Sequence, residues 1–193
     1  MILGILAKFN FLDFIILIVL FRVCYIAVKK GLSVEIFKFC GVLFSSYIAL
    51  HYYTALSNLI QGRFLPKEMP LEFLDFIIFI FLIALGYLCF VGLRGLLSRF
   101  IQLDAIPKIN QCLGLILGIG RGFLIISLLS FILVISSVTY LSNSVKYSYL
   151  GRRSFAILPQ TYAWLWSNIF SKFSAQEKFN PTVTQVMEKF NHK

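Results

Sequence analysis

Apolar positions in this chain do not alternate; they run on. Residues 11–28, 32–53, 71–93 and 113–138 are apolar almost without interruption. A helix crossing about 30 Å of hydrocarbon needs about 20 such residues, and each run is near that length. The pattern predicts an all-α integral membrane protein, a four-transmembrane-helix bundle within residues 1–140. Lys29-Lys30-Gly31 leaves so short a connection that helices one and two are expected to form an antiparallel hairpin. Gly62, Pro66 and Pro70 predict a loop over residues 54–70. In residues 94–110, Leu96, Leu97, Phe100, Ile101 and Ile109 recur at helical spacing around Arg99 and Asp104. That segment reads as a short interfacial helix broken before Pro107.

The pattern changes after the fourth run. Residues 142–153 read as a polar linker, within a unit of 141–173 that ends in an amphipathic interfacial helix. In residues 159–173, Tyr162, Leu165, Trp166, Ile169, Phe170 and Phe173 share one helical face. Pro159 in the first turn, with Trp164 and Trp166, predicts a helix lying in the headgroup layer. Residues 174–193 are a polar tail, in which Asn180-Pro181 is placed to start a last short helix. Its weak apolar stripe is Val183, Val186, Met187 and Phe190.

Composition agrees with the membrane reading. Of 193 residues, 59% are hydrophobic and 13% charged, against about 25% charged in soluble chains. The net charge of +10 lies mostly beside apolar runs, so anionic lipid headgroups are the expected partner and nucleic acid is not. Lys29 and Lys30 follow the first run with no small-x-small cleavage site, so that run reads as a retained helix. Cys24, Cys40, Cys89 and Cys112 lie in or beside apolar runs without CxxC spacing and read as packing residues.

Charges inside spans are functional candidates by default. Arg22, Lys38 and Arg121 each lie about 9–12 Å in from the hairpin face, and Glu35 about 5 Å in, at about 1.5 Å per residue. One layer thus gathers three cations and one carboxylate. Glu35 can pair with Lys38 in its own helix or with Arg22 across the hairpin. Snorkelling or simple pairing is one reading of the layer; a substrate or ion site is the other. Asp13, Glu72 and Asp75 open odd-numbered helices at the opposite, terminal face, where the helix dipole favours acids. Asn10 is spaced to cap the helix that holds Asp13. A vestibule attracting protons or cations is the alternative reading of these acids.

Gly114, Gly118 and Gly122 repeat every fourth residue and form a small-residue stripe for close helix packing. A hinge or thin pore wall is the other reading. His51, at the terminal end of the second run, reads as an interfacial residue with its aromatic neighbours. No HExxH, GxSxG or intramembrane aspartate pair occurs, so neither an enzyme nor a cofactor is expected.

These pieces together resemble the colicin V production protein family. The resemblance rests on Asn10-x-x-Asp13, Lys30-Gly31-x3-Glu35, His51-Tyr52-Tyr53-Thr54 and Leu113-Gly114-x3-Gly118-x2-Arg121-Gly122. Leu158-Pro159 before an aromatic helix extends it over about residues 10–172. The chain departs from the family in Lys30 for the usual Arg and in Asn110-Gln111 where Asp/Asn-Arg is common. The resemblance implies a bacterial inner-membrane protein needed for colicin V production and linked to envelope homeostasis, without enzymatic activity. Relatives that carry an extracytoplasmic protease after the last helix imply periplasmic termini. Charge agrees when Lys and Arg are counted near helix ends only, because the hairpin face then holds slightly more of them.

Three functions are expected to compete. One is a helix-packed, homo-oligomeric factor for toxin production or export. The second is a small oligomeric channel or transporter using the charge layer. The third is a scaffold recruiting an envelope protein partner through the aromatic tail helix.

Overall fold

The computed structural model describes residues 9–63, 69–97, 107–136, 138–173 and 177–192. The described residues are mostly helical and contain no strand. Among the described residues four helices are long and apolar enough to cross a membrane: α1 (Phe11–Lys30), α2 (Leu32–Arg63), α3 (Leu71–Leu97) and α4 (Pro107–Ile135). The chain is a multi-pass membrane protein. Its outward side chains fit that solvent: Phe21 is 73% exposed, Ile18 67%, Leu88 65% and Ile116 64%. A belt of apolar side chains this large would aggregate in water.

Local chemistry sets the helix starts. Asn10 and Asp13 form a reciprocal capping box on α1. Gly31 sits between α1 and α2 with φ of 74°, the left-handed region that glycine enters without strain. Its N–H closes α1 on the Ala27 carbonyl at 2.9 Å. The first amide of α2, on Leu32, donates to Asn110 Oδ1 at 2.7 Å. A side chain of α4 thus caps α2.

Three sequence expectations change here. Helices one and two are neighbours in the chain, but α1 packs mainly on α4, while α2 packs on α3 and α4. The short turn brings them together; side-chain fit selects the partner. The loop expected over residues 54–70 is helix as far as Arg63, because α2 continues through Gly62. At 32 residues it is about 48 Å long, so it extends beyond the hydrocarbon. Residues 94–97 belong to α3 and 107–110 to α4 rather than to a separate interfacial helix. Pro107 opens α4, where its missing N–H is harmless. Arg99, Phe100, Ile101 and Asp104 lie outside the described residues, as does Pro66.

The expected polar linker is also helical. It forms α5 (Thr139–Tyr147) and α6 (Tyr149–Phe155), followed by α7 (Ile157–Leu165). A π-helical turn, Trp166–Phe170, and a last α turn, Ser171–Phe173, continue α7. The final helix, α8 (Pro181–His192), starts at Asn180 as its sequence suggests, with Thr182 N–H donating to Asn180 Oδ1 at 3.1 Å.

These short helices enter the bundle instead of lying on it. Ser127 Oγ of α4 donates to the Phe155 carbonyl at 3.0 Å and accepts from Leu158 N–H at 2.8 Å. Ser127 is about 12 Å from the end of α4. Non-helical backbone at that depth survives only where protein satisfies its polar groups. One aromatic path runs through the core, with Tyr53 against Phe79, then Phe131, Phe155 and Phe190.

Candidate functional site

The charge layer is sorted by geometry. Glu35 has no exposed surface, and Lys38 Nζ lies 2.7 Å from its Oε1. Arg121 of α4 brings Nη2 to 3.1 Å from Oε2. That approach is an ion pair without hydrogen-bond alignment: Oε2 and Arg121 Nε take no hydrogen-bond partner among the described residues. Side chains on a helix lean toward its N-terminus, which carries Arg121 back toward Glu35. Arg22 is exposed on the outer side of α1 and makes no ion pair among the described residues. The cross-hairpin Arg22–Glu35 pair is therefore corrected. The carboxylate joins α2 to α4, because α1 turns a different face inward.

The glycine stripe faces α1. A Cβ built on Gly114 would lie 2.8 Å from the Gly31 carbonyl carbon, and one on Gly122 2.8 Å from Leu20 Cδ1. One on Gly118 would collide with the Ala27 Cβ. The stripe is used within one chain, as the groove that receives α1.

The terminal-face acids separate. Asp13 is fully buried and takes four donors. Asn10 N–H reaches its Oδ2 at 2.8 Å within the capping box. Ser148 Oγ and Leu150 N–H reach Oδ1 at 2.7 and 2.8 Å, and Tyr149 N–H reaches Oδ2 at 3.2 Å. One carboxylate thus starts both α1 and α6. Asp75, half-buried, accepts from Ser57 Oγ of α2. Glu72 is exposed one turn earlier. Asp75 and Glu72 line a cleft of about 470 Å³ where the ends of α3 and α4 meet α5 and α8.

His51 is buried, at 7% exposure, in an aromatic box. Tyr47 stacks on its ring at 5.6 Å between centroids, and Trp166 at 5.2 Å. Tyr162 Oη is 2.9 Å from Nδ1 and also accepts from Asn180 N–H at 3.1 Å. The hydroxyl proton is then available to Nδ1, which leaves the ring proton on Nε2. Nε2 faces Glu177 Oε2 at 3.5 Å, and Glu177 Oε1 accepts from Tyr52 Oη at 2.5 Å. Burial raises the Tyr162 pKa above the usual phenol range, the Asn180 N–H opposes this and the Glu177 charge adds to it, so the hydroxyl stays protonated. Asn180 also donates to the Leu50 carbonyl at 2.8 Å. His51 is thus the joint between α2, α7 and the tail.

This corrects the headgroup-layer reading of residues 159–173. Tyr162 and Leu165 are buried, and Phe170 stacks on Tyr47 at 3.9 Å. The apolar stripe serves an intramolecular contact because it lies against Tyr47 and His51 in the middle of α2. Trp164, at 59%, and Phe173, at 84%, point outward. Nothing in the sequence pointed Tyr47, Tyr162, Glu177 or Asn180 at His51, since their partners lie far along the chain. The π turn beginning at Trp166 is visible only in the fold.

A family model described as colicin V production protein matches residues 12–156. No curated protein and no solved structure matches the chain. The match covers all four long helices, the Glu35–Arg121 pair, the glycine groove and the α6 that Asp13 caps. The chain therefore belongs to the colicin V production protein family.

Proposed function

We propose that this protein acts in the bacterial inner membrane as a non-enzymatic platform for colicin V production or export. Membership of the family supports a role in colicin V production. The observation carrying the platform reading is the Glu35–Arg121 pair. Within the layer Glu35, Lys38 and Arg121 are directed at each other, and the carboxylate ties α2 to α4. The cavity beside Lys38 measures about 10 Å³, about the room one water needs. Anionic headgroups meet the basic ends of the helices, and the bundle works as a homo-oligomer. Exposed Trp164 and Phe173 form the face that recruits an envelope partner, which is also how the protein would affect envelope homeostasis.

The test is colicin V output from cells that depend on this protein, read together with its abundance in the membrane. Glu35→Gln should lower both. Glu35→Gln with Arg121→Gln should restore both, because a platform needs the joint and not the charge. A double variant that is abundant yet yields no toxin would mean that the charges themselves act, as in a channel or transporter.

A further inference from the structure

The cleft at the terminal face carries charges of both signs that do not neutralise each other. Asp75 has Oδ1 engaged by Ser57, while Oδ2 takes no protein donor among the described residues. Lys146 of α5 and Lys189 of α8 also line the cleft, and neither forms an ion pair among the described residues. Tyr53 lines it too, is 1% exposed, and its Oη has no hydrogen-bond partner among the described residues. A buried hydroxyl needs a partner, and a polar ligand in the cleft supplies one.

The ligand's chemistry follows from these groups. A simple anion would meet the carboxylates of Asp75 and Glu72, and a metal ion would meet two ammonium groups. A molecule with a primary ammonium at one end and a phosphodiester at the other satisfies both walls. The remaining wall is apolar, from Val134, Ile135, Val138 and Val186. The cleft also lies where α3 begins and α4 ends, the level at which spanning helices meet headgroups. Its volume of about 470 Å³ falls within about 300–1,000 Å³, the usual range for small-molecule sites.

We propose that this cleft binds the zwitterionic headgroup of an ethanolamine phospholipid. Asp75 receives the ammonium, Lys146 and Lys189 hold the phosphodiester, and Tyr53 donates its hydroxyl to a headgroup oxygen. An acyl chain leaves along the apolar wall. The proposal does not depend on the platform reading and can fail separately from it.

The experiment titrates the full-length protein in detergent with phosphatidylethanolamine, phosphatidylcholine or phosphatidylglycerol. Bound lipid is counted by native mass spectrometry. Phosphatidylethanolamine should bind about tenfold more tightly than the other two, because choline has no N–H to donate and glycerol no cation. Lys146→Gln with Lys189→Gln should weaken all three lipids by a similar factor, about tenfold, because each carries the phosphodiester, and should leave the helical content unchanged. Asp75→Asn should narrow the gap between phosphatidylethanolamine and phosphatidylglycerol. Soluble glycerophosphoethanolamine should compete with the lipid only weakly. Equal binding of the three lipids, undiminished binding in the double lysine variant, or an unchanged preference in Asp75→Asn would overturn the proposal. So would tight binding of the soluble compound with no retention of lipid, which would make the ligand a free solute.

Discussion

Ser148 donates its hydroxyl to Asp13 Oδ1 at 2.7 Å across 135 positions of sequence. The same carboxylate caps α1 at home and starts α6 at a distance. It therefore couples the first spanning helix to the segment that enters the bundle from the terminal face. Asp13→Ala leaves the half-buried amides of Tyr149 and Leu150 without a charged acceptor. Hydrogen bonds to charged groups are worth about 1.5–3 kcal/mol, so several lost at once should lower the unfolding temperature strongly. The check is thermal unfolding in detergent alongside proteolysis of residues 149–155, which should become cleavable. Unchanged protection would mean that α6 holds without the cap.

Glu35→Gln removes the anion that compensates Arg121. Breaking one side of a buried pair costs about 3–5 kcal/mol. Glu35→Gln with Arg121→Gln should recover most of that loss, while Glu35→Gln with Arg22→Gln should recover none. A double-mutant cycle on thermal stability separates the partners. Recovery through Arg22 would refute the pairing described above.

Gly118→Ala puts a methyl against the Ala27 Cβ. Overpacking of this kind costs about 1–3 kcal/mol, and Ala27→Gly should relieve part of it. Gly62→Ala, with no atom near the added Cβ, is the control and should be neutral or stabilising. Gly118→Ala as stable as the native protein in detergent would show that α1 does not pack this closely.

Asn180→Ala removes the α8 cap and the donor to the Leu50 carbonyl together. A lost N-cap alone costs about 1 kcal/mol. The segment 177–192 should become sensitive to limited proteolysis while the spanning helices stay protected. Tyr162→Phe should do the same more weakly, since His51 Nδ1 and the Asn180 N–H both lose a partner. A tail that stays protected in both variants would mean apolar contacts alone dock it.

Topology is expected to place both termini in the periplasm, with Lys29 and Lys30 in the cytoplasm. A reporter active only in the periplasm should work when fused after Lys193. A fluorescent fusion at that point, folding only in the cytoplasm, should stay dark. The opposite pair of results reverses the assignment.

What the chain determines by itself is what depends on local spacing. Twenty or so apolar residues in succession can only be spanning helices in this composition, whichever way they face. Asn10 with Asp13, and Asn180 before Pro181, mark helix starts because a cap and its amides are three residues or fewer apart. Gly114, Gly118 and Gly122 announce a close helix contact for the same reason. None of this says which helix fills the groove, which cation Glu35 meets, or that His51 is buried. Those were decided by the tertiary structure. Lipid is as apolar as the core, so helices that are apolar all round carry no periodic mark of their inner face. Arg22 and Arg121 look alike in sequence; only the rotation of α1 against α4 sends one outward and turns the other onto Glu35. The tail is similar. Tyr162, Glu177 and Asn180 find His51 and Leu50 because α7 and the tail fold back onto α2, and nothing within a helical turn of any of these residues encodes that meeting.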